Sequence, residues 1–344
     1  MMTAALRILS PGVLATIQDL GRPSFQHLGV PVSGALDAFS LRLGNVLLRN
    51  DPGAGALEMC YSGLQLEAAH GPVRILVAGP CEGTIEGLAP RSVTPWRSEC
   101  LRAGDRLLLG SVKNASCAYL IVAGGFRIPL VLGSMSTYTR GSFGGFAGRA
   151  LAEGDEIPTA AAIDEPEVEL PSPPQYEKGP VRIVPGPQDD YFTNNASEVL
   201  YGERFTVSTA ADRVGIRLDG PRLEHSRLAD IPSDGTVHGM IQVPPSGQPI
   251  ILLNDRQTTG GYPKIGTVIT ADLPRVGRLV PNQEIHFMRV TPAEAVKIAR
   301  EREQELLRII ATARAARIQP VLTTDQLLST NLVGGVVTAF DGMV

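Results

Sequence analysis

Residues 250–264 read IILLNDRQTTGGYPK: an apolar run passes straight into Asn254, Asp255, Arg256, Gln257, Thr258 and Thr259, and Gly260, Gly261, Tyr262, Pro263 and Lys264 close the block. A buried strand is rigid, a Gly-Gly turn lets backbone approach a ligand, and polar side chains delivered at the strand's end converge there. The chemistry open to this set is proton transfer and the stabilisation of negative charge. Asp255 offers a carboxylate beside a turn, as do Asp19 and Asp234 elsewhere. Arg256 and Lys264 hold an anion or polarise a carbonyl, and Tyr262 and Thr259 donate hydrogen bonds. Such groups suit an enolate, an imidate or a carboxylate, and not redox chemistry. The plainer alternative is an ordinary polar loop.

Other mechanisms lack their residues. No Gly-x-Ser-x-Gly elbow is present, and His27, His70, His225, His238 and His286 show no metal-ligand spacing, so no metal site is expected. Cys60, Cys81, Cys100 and Cys117 are far apart and read as buried free thiols in a reducing cytoplasm. The glycine run GSFGGFAG at 141–148 matches neither dinucleotide nor P-loop spacing and reads as tight turns at sheet corners. Lys plus Arg total 31 against 35 Asp plus Glu, with no basic run, which excludes a nucleic-acid footprint. No apolar run reaches the roughly 18 residues of a membrane span, and the start MMTAALRILSPG lacks a secretory signal, so a cytoplasmic protein is expected.

The elements that must carry these residues are short strands and tight turns, as 37 Gly and 27 Pro imply. A second strand, 13–17, also runs into a polar Gly/Pro turn, bringing Gln18, Asp19 and Arg22. Residues 33–48 read as a helix with Asp37 in its first turn, stopped by Asn50-Asp51-Pro52-Gly53. Thr291-Pro292-Ala293-Glu294 is a capping-box start for a helix to about residue 317, and the apolar tail 321–344 is expected to pack as a strand or against a partner. The Pro-rich stretch 158–180 reads as a linker. It separates units at 1–157 and 181–290, with 291–344 as helix and tail. GRAL at 148–151 followed by DEI, and GRLV at 277–280 followed by EI, recur about 130 residues apart, as two related β units would.

Two long blocks, GVLATIQDLGRPSFQHLGVPVSGALDAFSLRLGNVLL at 12–48 and QVPPSGQPIILLNDRQTTGGYPKIGTVI at 242–269, carry a resemblance. With VAGGFRIPLVLGSMST, GGFAGRAL, RIVPGPQDDYFT and DRVGIRLDGP between them, the chain resembles the allophanate hydrolase subunit 2 family. Its relatives are the KipA proteins, the C subunit of bacterial 5-oxoprolinase and part of the carboxyltransferase region of urea carboxylase. The resemblance implies a mainly β fold of two tandem cyclophilin-like β-barrels with a few helices. It also implies a KipI-like protein, the B subunit, that completes the site, and a small-molecule substrate. One branch is ATP-dependent opening of 5-oxoproline to glutamate together with a separate A subunit, with ATP and Mg used by the complex. Another is transfer of CO2 from carboxybiotin, and a third is KipA-type regulation. No A-M-K-M biotinylation motif occurs, so any biotin arrives on another chain or is unused. The free-standing length favours the 5-oxoprolinase reading. His238 stands where the family usually has Pro, and Asn254 where it has a small residue. Catalysis is therefore expected from Asp255, Lys264 and Tyr262. Binding is expected from Arg256, Gln257, Thr258 and Thr259, with Gln18, Asp19 and Arg22 as the facing wall.

Overall fold

The structure, a computed structural model, describes residues 4–161 and 166–316. Its elements are mainly β, with four α-helices among the described residues. The strands Val73–Ala78 and Cys117–Val122 show how the layers arise. Both are buried at every position and lie side by side in a five-stranded sheet with Leu14–Gln18, Ala56–Cys60 and Ser98–Leu101. Side chains alternate along a strand, so a run without polar positions must be covered on both faces. Ala118, Leu120 and Val122 face a core shared with Leu6, Leu66 and Leu107 of a second, six-stranded sheet. Cys117, Tyr119 and Ile121 face a different core, shared with the helix Ala38–Leu47 and with residues of the second half such as Ile251 and Phe287.

The second half forms one eight-stranded sheet. Its edge strands, Glu284–Ile285 and Phe287–Arg289, are separated in sequence by His286 alone. A sheet whose opposite edges are joined by one residue has curled round until they meet, which makes a nearly closed barrel. Phe287–Arg289 runs parallel to Val181–Pro185, in an otherwise antiparallel set of described pairings. The mainly β fold with few helices expected from the sequence is therefore the fold observed. Glu156–Pro158 and Glu284–Ile285, the strands of the two similar sequence segments, each lie at a sheet edge.

The helices differ in their ends. Residues 33–48 contain a helix only over Ala38–Leu47, because Ser33 and Gly34 take left-handed backbone (φ 57° and 96°) and Asp37 is the N-cap, accepting from Ser40 N at 2.9 Å. Pro292–Ala311 begins with the expected capping box of Thr291 and Glu294. It stops before residue 317, because Arg314–Ala315 leaves it to pair with Val168–Glu169. The tail 321–344 lies outside the described residues. Among the described residues no helix is long and apolar enough to cross a membrane, and no group of His, Cys, Asp and Glu is placed to hold a metal. The four cysteines are free.

The halves meet along a close backbone seam. Ser116 N donates to Arg278 O (2.9 Å) and Ser116 Oγ to Gly277 O (2.7 Å). A side chain at Gly277 would drive its Cβ into the carbonyl of Leu36, which is backbone and cannot swing away. Gly277→Ala is therefore expected to cost about 1–3 kcal/mol in denaturant unfolding. Gly202→Ala, at the end of a helix with open space around it, should be neutral or slightly stabilising.

Candidate active site

The strand Ile250–Leu252 lies inside the eight-stranded sheet, between Gly215–Asp219 and Met240–Gln242. Residues 253–256 therefore leave it while still buried. Asn254 meets the first half at once. Ser33 N donates to Asn254 O (3.0 Å), and Asn254 Nδ2 donates to Ser33 O (3.2 Å) and Ala35 O (3.1 Å). The polar block and the loop after the first Gly/Pro turn are thus stitched into one wall.

Asp255 is held from behind by Arg213. The guanidinium gives Nε to Asp255 Oδ2 (2.9 Å) and Nη2 to Asp255 Oδ1 (3.3 Å). It also reaches across the seam, with Nη1 donating to Glu58 and Nη2 to Gly34 O (2.7 Å). Glu58, wholly buried, accepts further bonds from Tyr119 (2.7 Å) and Leu36 N (2.8 Å). Burial works against the Arg213 charge, but Asp255 and Glu58 outweigh it and hold its pKa above the ordinary value. Both Asp255 oxygens are engaged by this guanidinium, so Asp255 first serves to position Arg213.

The facing wall divides by role. Gln18 is wholly buried and saturated: its amide nitrogen donates to Thr16 Oγ1 and Thr137 O, and its oxygen accepts from Gly34 N. Asp19 accepts from Ser134 and Ser136 hydroxyls, Gly21 N and Met135 N, pinning the 134–136 loop. Arg22 is different. It donates to Ser136 O and packs 5.0 Å from the centroid of the Phe143 ring, while its Nη1 is buried without a partner. Burial lowers its pKa. The glycine run serves this packing: at Gly144, with φ 73°, a Cβ would collide with Ser136 O and lie 2.8 Å from Arg22 Nη2.

Arg256 resembles Arg22. It is 4% exposed, donates Nη1 to Leu253 O (3.2 Å), and leaves Nε buried without a partner. Among the described residues it has no ion pair, and burial lowers its pKa to about 10. His238 Nε2 is likewise buried and unpaired; burial, then the charges of Arg256 and Arg213, push its pKa down to about 3, so the ring is neutral near pH 7. Lys264 departs from its neighbours. Its side chain is wholly buried and its ammonium lies 2.8 Å from Asp234 Oδ2, whose carboxyl that bond holds below its usual range. Asp234–Gly235 pairs with Thr259–Gly260 in an exposed ribbon. Gln257 reaches Gln242 Oε1 (3.2 Å) and Thr258 O accepts from Thr236 N (3.0 Å). Thr259 and Tyr262 are exposed at the rim. The structure thus brings Asp255 within electrostatic reach of Arg22, engages Lys264 with Asp234, and leaves Thr259 and Tyr262 exposed.

The family model "Carboxyltransferase domain, subdomain A and B" matches residues 28–289, which contain most of this seam. The chain belongs to that family. It is 35% identical over 300 residues to the C subunit of the Escherichia coli 5-oxoprolinase, covering 87% of this chain and 96% of the relative. To the C subunit of the Haemophilus influenzae 5-oxoprolinase it is 36% identical over 290 residues, covering 84% and 92%. Among solved structures, the Kluyveromyces lactis urea carboxylase superposes with a TM-score of 0.81 at 26% identity, over 90% of this chain but only 29% of that larger one.

In this member of the carboxyltransferase-domain family, sequence reasoning missed Arg213 and Glu58. Glu58 carried a signal, a lone carboxylate inside the apolar strand ALEMC, which demands a buried partner. Arg213 lies in DRVGIRLDGP, one of the motifs that carry the resemblance, but nothing in the residues around it marks the buried carboxylates it meets.

Two outcomes are expected. Glu58→Leu strips Arg213 of one of its two carboxylates and should lower stability by about 3–5 kcal/mol in urea unfolding. The unfolded chain protonates His238 near pH 6.5 and the folded chain resists until about 3, so folded stability falls as pH drops through that window. His238→Gln should flatten that part of a stability–pH profile measured from pH 7 to 3.

Proposed function

We propose that the chain is the C subunit of a 5-oxoprolinase, acting with a KipI-like B subunit and an A subunit in the ATP-dependent opening of 5-oxoproline to glutamate. The observation that carries this reading is the near end-to-end correspondence with bacterial C subunits, 96% and 92% of their lengths, against 29% of the urea carboxylase. The chemistry of the seam supports it. Opening a lactam places negative charge on the carbonyl oxygen, and buried, preorganised cationic donors lower the energy of that charge. Arg22 and Arg256 have N–H groups free for it. Asp255, both of whose oxygens are engaged by Arg213, holds that guanidinium in place and lies within electrostatic reach of Arg22. The exposed rim of Thr259 and Tyr262 is where a second chain would close the site. Gly144 packs against Arg22, and the glycine run has no P-loop spacing, so no step through ATP is assigned to this chain.

A second reading, carboxyl transfer, is favoured by the family model and by the urea carboxylase superposition. Carboxybiotin on another chain supplies a transferable CO2 when bound, and the same two arginines fit its carboxylate.

Co-expression with the two partner proteins tests the choice. The complex is expected to form glutamate from 5-oxoproline only with ATP, scored by mass spectrometry. Arg256→Met should lower turnover about 10²–10³-fold, and Asp255→Asn should lower it as well. Near-normal turnover by both variants, or carboxyl transfer from free carboxybiotin without any glutamate formed, would sink the reading.

A further inference from the structure

A cavity of about 150 Å³ opens between the two halves, beside Arg213. Leu14, Leu36 and Cys60 of the first half and Ile216, Leu253 and Leu279 of the second line it. None of the polar-block or facing-wall residues expected to act on a substrate does. Tyr61 and Asp212 are its two exposed wall residues and mark the mouth. Tyr61 holds a left-handed backbone (φ 62°), pinned by its N donating to Ser116 O (2.9 Å) and by Val112 N donating to its O (3.0 Å). A bulky side chain in that conformation is strained, and it persists where the surroundings impose it.

The few polar groups of the wall have nothing left to give a ligand. Arg213 spends Nε and Nη2 on Asp255, Nη1 on Glu58 and Nη2 again on Gly34 O. Ser116 Oγ donates to Gly277 O (2.7 Å). Asp212 Oδ1 accepts from Val214 N and Gly215 N, and its Oδ2 pairs with Arg140 (3.0 Å). Burial pushes the Cys60 thiol up to about 12, so near pH 7 it is a neutral, weakly bonding group. An ion entering here would shed its water and find no partner. A water molecule needs roughly two to four polar partners, and those are missing too. The walls fit an uncharged apolar molecule. A guanidinium whose donors are spent in its plane still offers its flat face, and the electron-rich face of an aromatic ring complements it. A cavity of this volume with aliphatic walls accommodates one six-membered ring.

The walls also adjoin the residues that fix how the halves meet. Leu253 precedes Asn254, which donates to Ser33 O and Ala35 O across the seam. Leu36 N donates to Glu58 (2.8 Å), and Arg213 is itself a wall residue. A ligand held by walls from both halves binds only the docked state and favours it by mass action.

We propose that this cavity is a second ligand site, taking one uncharged aromatic ring, and that its occupancy tightens the seam between the halves. The site is separate from the residues of the proposed function and does not depend on that reading.

The test uses the whole chain with isotope-labelled methyl groups and three probes of similar size: benzene, cyclohexane (no ring face) and benzoate (charged). Benzene should shift the methyl resonances of Leu14, Leu36, Ile216, Leu253 and Leu279 and give ligand-to-methyl NOEs. It should bind about three- to tenfold tighter than cyclohexane, the factor a cation–π contact supplies, and benzoate should not bind. With benzene at about ninefold its dissociation constant, the Ser33 and Ser116 amides, which donate across the seam, should exchange about tenfold more slowly. Ala211→Phe grows a ring into the cavity from a half-buried wall position and should abolish the shifts, with thermal melting reporting its folding. The wild-type NOEs decide without it if the variant does not fold. Absence of NOEs to these methyls overturns the proposal, as does cyclohexane or benzoate binding as tightly as benzene. So does undiminished benzene binding at these methyls in folded Ala211→Phe, or seam amides whose exchange benzene leaves unchanged.

Discussion

The Arg213 guanidinium lies between two buried carboxylates from different halves of the chain, Asp255 on one side and Glu58 on the other. Taking three charges out of water is unfavourable by several kcal/mol per ion, and only close geometry with saturating hydrogen bonds returns it. That geometry is present. Glu58 adds Tyr119 and Leu36 N, and Arg213 adds Gly34 O. A hydrophobic contact tolerates sliding, whereas a fork of N–H donors set against two carboxylates does not. The apolar core shared by the two halves holds them together, and this ion triad fixes their register. Tyr119 carries the constraint onward by accepting from Asp37 N, and Asp37 in turn takes Tyr176 and Arg278 (3.1 Å).

The site follows from that register. Asn254 can stitch to Ser33 and Ala35 only if the strand end and the loop arrive together. Arg22 and Arg256 each keep one N–H buried without a partner. The chain therefore holds two kinds of cation. Arg213, Arg278 and Lys264 are neutralised by carboxylates and serve structure. Arg22 and Arg256 have no such partner among the described residues. The cost of leaving them so is offset elsewhere, in cores that are apolar on both faces of the central sheet.

This division explains what could be read in advance. The polar block at 254–264 and the facing turn at 18–22 were legible, because both are strand ends with abrupt polarity changes, a local signal. Their roles were only partly so. Lys264 and Arg256 look equivalent in sequence, and only a residue 30 positions away, Asp234, separates them. Gln18 and Asp19 read as ligand groups, yet loop 134–137, more than 110 residues on, absorbs them. The helix at 38–47 was legible by periodicity, but not the left-handed turn that shortens it, since Ser33 adopts positive φ where its backbone meets Asn254. Arg213 stood inside a recognisable motif, DRVGIRLDGP, but its role was out of reach, because its partners come from three separate segments.

The chain is similar both to 5-oxoprolinase C subunits and to a urea carboxylase, whose chemistries share one electrostatic demand. Opening a lactam and carboxylating an amide nitrogen both gather negative charge on an oxygen bound to the carbon next to nitrogen. Buried guanidinium donors and a held carboxylate serve either reaction. The shared demand is a place for that oxygen. What must differ is the group that drives the reaction, and no run among the described residues is built to hold it.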